Sequence, residues 1–185
     1  MRRIAAALVH YPVHDRARSV VTSAITNLDL HDIARSSHTY GLSDLFIVHP
    51  VAAQRLLAER VREHWISGSG ARRIPDRTPA ISILRIVTTL DDALTALGPG
   101  AKLWVTSAKG AGEVLDFPAA RAELSASGPP VLIVFGTGWG LGDAITERAD
   151  ARLASIVGRP ADGYNHLSVR AAAAIIFDRL LSCQR

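Results

Sequence analysis

Residues Val131-Leu-Ile-Val-Phe135 run without a polar interruption into Gly136-Thr-Gly-Trp-Gly-Leu-Gly142. Five consecutive apolar residues stopped by a glycine cluster describe a short strand covered on both faces. Such a strand needs helices above and below it, and sheets covered on both sides are predominantly parallel. The rest of the chain agrees. Strands are predicted over residues 3–9, 44–49, 84–88, 102–106 and 131–135, with a shorter one around 153–157. Helices are predicted over 28–39, 51–66, 90–97, 118–125 and 166–182. Thr88 and Thr89 before Asp91 resemble a capping box, and Gly98-Pro99 is a helix stop. The expected architecture is α/β: a mostly parallel sheet with helices on both faces.

The 185 residues are enough for one domain, residues 1–185, with a sizeable core. In Met1-Arg-Arg-Ile-Ala-Ala-Ala-Leu-Val9 only six apolar residues separate the arginines from His10. That is too short for a signal peptide and reads as a first buried strand. No apolar run reaches the length of a membrane span, and one cysteine, Cys183, leaves no internal disulfide. A cytoplasmic protein without membrane or metal partners is expected. His10 and His14 have ligand-like spacing, but Pro12 between them argues against a helical metal site.

The net charge of +4 is concentrated. Arg55, Arg60, Arg62, Arg72, Arg73, Arg77 and Arg85 face only Glu59, Glu63 and Asp76 within one segment, which carries the whole excess. Its centre, residues 66–79, is rich in glycine and proline and reads as a mobile surface loop. An arginine loop suits phosphate contacts, and a solvated face is the equal alternative.

In a parallel sheet, ligands sit beyond the strands' carboxyl ends. Three loops leave predicted strand ends with fitting chemistry: Thr106-Ser-Ala-Lys-Gly110, the glycine loop 136–142, and residues 162–168. They are expected to converge on a small molecule gripped mainly by main chain, since glycine lets a ligand approach without a Cβ in the way. The glycine loop is not a dinucleotide fingerprint, because it follows a late strand, carries Trp139 and lacks the acidic residue some twenty positions on. That disfavours a Rossmann oxidoreductase. It is no P-loop either, for Lys and Ser/Thr do not follow the last glycine. A third patch lies on the first helix, where Asn27, His31, Arg35 and His38 recur at three- and four-residue spacing and share one face, with Leu28, Ile33 and Ala34 elsewhere.

Together, Asn27…Arg35…Gly41, the Thr106-Ser-Ala turn, Phe135-Gly-Thr-Gly-Trp-Gly-Leu and Leu167-Ser-Val-Arg-Ala-Ala-Ala-Ala resemble the three motifs of SPOUT-class RNA methyltransferases. The runs Ala7-Leu-Val-His-Tyr-Pro-Val13 and Thr26-Asn-Leu-Asp-Leu-His-Asp-Ile-Ala-Arg35 are similar to a bacterial subgroup sometimes fused to the tRNA guanine-N1 methyltransferase. The resemblance covers nearly the whole chain. It implies a C-terminal segment threaded into a deep trefoil knot, an exception to the rule against knots. It also implies S-adenosylmethionine bent within the knot and held by Thr106, Ser107, Ala108, Phe135, Gly136, Thr137, Gly138, Gly140, Tyr164, Asn165, His166, Leu167 and Val169.

By the same resemblance the protein is a homodimer acting on tRNA or rRNA, with the C-terminal helix at the interface. Arg35 activates a ribose 2′-hydroxyl, Asn27 places the RNA backbone, and both count as catalytic residues. RNA contacts are expected from His31, His38, Arg72, Arg73, Arg77 and Arg170. The chain departs from the ribose-methylating pattern twice. Thr137-Gly138 replaces Asn-Glu, and His166-Leu-Ser-Val-Arg170 replaces Ser-Leu-Asn-Val-Ser. A base nitrogen is therefore the alternative acceptor, and a non-catalytic cofactor- or RNA-binding module the alternative class.

Overall fold

Three consecutive alanines, Ala5, Ala6 and Ala7, occupy the middle of the sheet without any solvent exposure. Small side chains there let the layers on both faces close onto the central strand. The computed structural model describes residues 2–107, 113–159 and 161–183. In chain order the first half comprises β1 (Ile4–Val9), a hairpin of β2 (Val13–His14) and β3 (Val20–Val21), α1 (Asn27–Thr39), β4 (Leu45–Val48), α2 (Ala52–Ile66), α3 (Ser69–Arg73), a 3₁₀ turn (Pro75–Arg77) and α4 (Thr78–Ser82). The second half comprises β5 (Leu84–Val87), α5 (Leu90–Leu97), β6 (Lys102–Val105), α6 (Phe117–Ser125), β7 (Val131–Gly136), α7 (Asp143–Thr146), β8 (Ala151–Arg152) and α8 (Val169–Leu181).

The main sheet has the order β5-β4-β1-β7-β6-β8, and every strand pair in it is parallel. From β1 the chain steps outward through β4 to β5, jumps with α5 to β6, returns to β7 and leaves through β8. The direction of winding therefore reverses between β1 and β7, which is where a crevice for a ligand opens beyond the carboxyl ends. One face buries Ala6, Leu8, Leu45, Ile47, Ile133 and Phe135 under α1, α2, α4, α6 and α8. The other buries Ala5, Ala7, Val9, Phe46, Leu132 and Val134 under α5 and α7. The expected α/β architecture with helices on both faces is thus the one observed.

Four of the helices, α1, α5, α6 and α8, start on a side-chain cap, whereas α2 follows Val51 without one. Thr26 accepts from the Asp29 amide, Thr89 and Asp92 form a reciprocal capping box, Asp116 accepts from Ala119, and Ser168 accepts from Ala171. α8 lies between α1 and α6. Phe177, fully buried, meets Phe135 edge-to-face with centroids 5.5 Å apart. Tyr40 donates to Asp178 at 3.0 Å, and the Arg121 guanidinium donates to the Ser182 carbonyl at 2.8 Å, closing the helix between its neighbours.

Three expectations are corrected. Residues 66–79 form no open loop but a folded turn of α3, the 3₁₀ turn and the start of α4. The Thr78 hydroxyl donates to the Trp65 carbonyl (2.9 Å), and the Arg77 guanidinium lies 4.5 Å above the Trp65 ring. The last short strand comes at 151–152 rather than 153–157, because β6, its ladder partner among the described residues, ends at Val105. Leu153 then bridges to Leu115, and Ser155 turns away to donate to the Ser107 carbonyl. The final helix begins at Val169, since Ser168 takes the cap and leaves His166 and Leu167 in the loop.

Candidate active site at the strand carboxyl ends

Three neighbouring strands of the sheet, β4, β1 and β7, are followed directly by His49, His10 and Thr137, and β6 beside them by Thr106. The glycine loop after β7 folds back against the segment following β1. Gly142 donates to the Pro12 carbonyl, Trp139 to the His14 carbonyl, and His14 to the Gly140 carbonyl, each at 2.9 Å. Thr106 is fastened to β7 by its hydroxyl, which donates to the Val134 carbonyl at 2.9 Å. The loop before α8 is clasped by Asn165, whose amide donates to the Ile156 carbonyl (2.9 Å) and accepts from the Gly158 amide (3.0 Å).

The first loop meets the chain leading into the third through Ser107 and Ser155 at 2.9 Å. The second meets the third through the Trp139 and His166 rings, 6.0 Å apart and near perpendicular. The three loops therefore touch at these two points, Ser107 with Ser155 and Trp139 with His166. Ala108 lies outside the described residues. The Phe135 side chain is buried against Phe177, so only its main chain faces the loops, and Val169 is already the first residue of α8.

Behind these loops lies a polar cluster that the sequence reading left out. The His10 ring is fully buried, and its Nδ1 lies 2.9 Å from the Ser23 hydroxyl. Ser23 makes a short hydrogen bond to the Thr137 hydroxyl, which also donates to the Val9 carbonyl at 3.2 Å. Burial, reinforced by His49, pushes His10 down to about 4, with Asp29 pulling the other way. His49 stands 5.4 Å from His10 between ring centroids. Its Nδ1 accepts from the Val51 amide, so its proton sits on Nε2 and goes to the Ser23 carbonyl, both at 3.0 Å. Burial lowers His49 as well, partly offset by that bond. Both imidazoles are neutral at physiological pH. Nε2 of His10 has no hydrogen-bond partner among the described residues.

The other departure from the ribose-methylating pattern reaches the same region. Arg170, in the first turn of α8, donates to Asp29 at 2.7 Å and lies 3.5 Å from Asp32. Asp29 is nearly buried and also accepts from the Thr26 hydroxyl at 2.7 Å. Arg170 thus ties the end of the third loop to the start of α1, with its guanidinium held against these two carboxylates.

The stripe on α1 is split. Asn27, Arg35 and His38 are exposed, but His31 is buried edge-on against Trp65, 5.2 Å between centroids, and Leu28 is exposed. Burial first, and Arg77 second, lower the pKa of His31. Arg72 and Arg73 are exposed on α3, whereas Arg77 is half-buried over Trp65. Among the described residues no group of three or more His, Cys, Asp or Glu side chains can hold a metal ion. No described helix is long and apolar enough to cross a membrane.

A family model described as SAM-dependent RNA methyltransferase matches residues 3–182. The chain belongs to this family. A curated relative from Nitratidesulfovibrio vulgaris, named tRNA (guanine-N(1)-)-methyltransferase, is 45% identical over 184 residues, covering 97% of this chain and 42% of the relative. The chain therefore spans less than half of that relative's length. Among solved structures, a probable methyltransferase from Bordetella pertussis superposes with a TM-score of 0.65 at 17% identity, covering 97% of this chain and 94% of the other. The SpoU methyltransferase AviRb from Streptomyces viridochromogenes gives 0.58 at 16% identity, covering 97% and 58%. The fold is that of the SPOUT methyltransferases.

S-adenosylmethionine, the cofactor of the family, suits the residues present. The second and third loops offer main chain and hydroxyls with no lysine or arginine between Gly136 and Gly142 or between Gly163 and Ser168, so a sulfonium cation meets no like charge there.

Proposed function

We propose that this chain, as one domain over residues 1–185, methylates the ribose 2′-hydroxyl of a tRNA nucleotide in the cytoplasm. We also read its C-terminal segment as threaded in a trefoil knot, and the active form as a homodimer in which the partner's α1 completes each site. The observation that carries the reading is the meeting of hydroxyl- and glycine-bearing loops at the reversal point of a parallel sheet, beside a helix that presents an exposed arginine.

When bound, S-adenosylmethionine supplies an electrophilic methyl group on a sulfur that leaves with the bonding pair. The work left to the chain is alignment, since an in-line displacement gains most from held geometry. Thr106, Ser107, Thr137 and the glycine backbone hold the donor. Asn27, exposed at the start of α1, positions the RNA backbone. Arg35 stabilises the developing alkoxide while its own guanidinium stays protonated, and the hydroxyl proton passes to water at this exposed rim. His38, Arg72 and Arg73 add phosphate contacts around that rim, with Arg77 and His31 bracing them through Trp65.

The second reading places the methyl group on guanine N1, and the name of the Nitratidesulfovibrio relative favours it. N1 carries a proton that must leave with the transfer. Water at the exposed rim of the loops takes up that proton.

The test is methyl transfer from tritiated S-adenosylmethionine to total tRNA, followed by mass spectrometry of the digested nucleosides. The proposal expects a 2′-O-methylated nucleoside and a loss of roughly 100-fold in kcat for Arg35→Ala. Label in 1-methylguanosine establishes the second reading instead, and full activity in Arg35→Ala removes that residue from the mechanism.

A further inference from the structure

The glycine loop carries one large side chain, Trp139, between two residues in the left-handed region, Gly138 at φ +59° and Gly140 at φ +112°. A Cβ on Gly138 would also come within 2.9 Å of the His14 carbonyl oxygen. The loop is therefore held in a shape that side chains resist on both sides of the tryptophan. The Trp139 amide is fixed on His14, yet its indole is 52% exposed. A large ring held outward on an anchored backbone is unusual, because burial is its ordinary source of stability.

Two further rings join it from the third loop. His166 stands edge-on to Trp139 at 6.0 Å, and Tyr164 lies 6.4 Å beyond His166 and is 66% exposed. The hairpin against which the loop folds brings charge to the same rim. Arg16 and Arg18 are both exposed, and Arg18 takes up φ +67° at the hairpin tip while donating to Asp143 at 2.9 Å.

Resting on the RNA methyltransferase reading above, we propose that Trp139, with His166 and Tyr164, is a stacking platform for an unpaired nucleobase of the RNA substrate. The physical grounds are the chemistry of the rank and its place. Every nucleobase has a π-face, so stacking on an open indole needs no particular sequence, and neighbouring arginines hold the phosphates on either side. A nucleotide drawn out of the stack needs a surface to receive the face of its base. The platform is carried by the second and third loops themselves, so a base received there is fixed relative to the cofactor site by the same main chain. The rings are spaced and polar-edged, and the hairpin against which the glycine loop folds carries an exposed Arg16, which favours RNA over the apolar surface of a second copy of this chain.

The full chain is titrated with a single-stranded RNA oligonucleotide of mixed sequence, with the same sequence as a duplex, and separately with S-adenosylhomocysteine. Trp104 is buried and Trp65 is covered by Arg77, so quenching of an exposed indole reports Trp139. Single-stranded RNA is expected to quench emission more than duplex. Trp139→Ala should lose the quench and weaken RNA binding about tenfold, Trp139→Phe should recover most of the affinity, and S-adenosylhomocysteine affinity should stay within about twofold. If wild type binds RNA and Trp139→Ala binds it equally well, the platform falls and the methyltransferase reading stands. A parallel loss of S-adenosylhomocysteine affinity would assign Trp139 to the loop's own fold and overturn the platform. Conversion of a wild-type dimer to a monomer by Trp139→Ala would show a second copy covering the rings and also overturn it. If wild type binds no RNA of either form, both readings fall together.

Discussion

His10 makes stability depend on pH in a way that one substitution isolates. In the folded chain its pKa is about 4, against 6.5 for a free imidazole. The unfolded chain therefore binds a proton in the interval between these values that the folded chain refuses, so stability rises with pH across that window. The contribution is fully present above pH 6.5 and is lost as pH falls through the window. At pH 5 the unfolded imidazole is almost wholly protonated and the buried one almost wholly neutral, which amounts to about 2 kcal/mol lost relative to pH 7.5. The groups facing His10 are His49, which strengthens the shift, and Asp29, which opposes it. Urea unfolding of wild type and His10→Asn at both pH values gives a double difference that cancels the other titrating groups. Asparagine keeps a donor for the Ser23 hydroxyl and carries no titratable proton. The variant should lose about 2 kcal/mol less than wild type between pH 7.5 and pH 5. Equal losses in the two proteins would refute a buried, neutral His10 behind the glycine loop.

Arg170→Ala should destabilise the chain by about 1–3 kcal/mol, read as a lower melting temperature by calorimetry, because the nearly buried Asp29 loses its cation while the partly exposed guanidinium limits the cost. A melting temperature unchanged from wild type would contradict the tie between α1 and α8. Phe177→Ala removes a fully buried ring packed on Phe135 and should cost roughly 3–5 kcal/mol in denaturant unfolding. Thr137→Val removes the hydroxyl shared with Ser23 at nearly constant volume. It should weaken methyl transfer while leaving the far-UV circular dichroism spectrum intact, and unchanged transfer would take that hydroxyl out of the site.

The sheet was legible because its strands are nearly pure apolar runs, and no tertiary contact competes with that signal in Ala5–Val9 or Val131–Phe135. The start of α5 was legible from Thr88 and Thr89, because that cap depends on local spacing alone. The hairpin of β2 and β3 was not, since two-residue strands have no period to read. Residues 66–79 read as a loop because their order comes from a long-range anchor, Arg77 and Thr78 on Trp65, that glycine and proline content hides. The three site loops could be found from their position after strands. His10 and His49 follow strands in the same way and carried the same signal, but a lone histidine reads as core until Ser23 and Thr137 are seen beside it. The buried side of His31 was missed because a spacing rule gives a shared face without saying which way that face turns.

The central claim is that the loops after β6 and β7 and before α8 form one site for S-adenosylmethionine. Calorimetric titration of the purified chain with S-adenosylhomocysteine, with NAD as the comparison ligand, tests it most directly. The account predicts saturable binding of one S-adenosylhomocysteine per chain, no binding of NAD, and a clear loss of affinity in Gly138→Ala, where a Cβ would crowd the His14 carbonyl and strain a left-handed backbone. Binding of NAD in place of S-adenosylhomocysteine, or of neither, would contradict it.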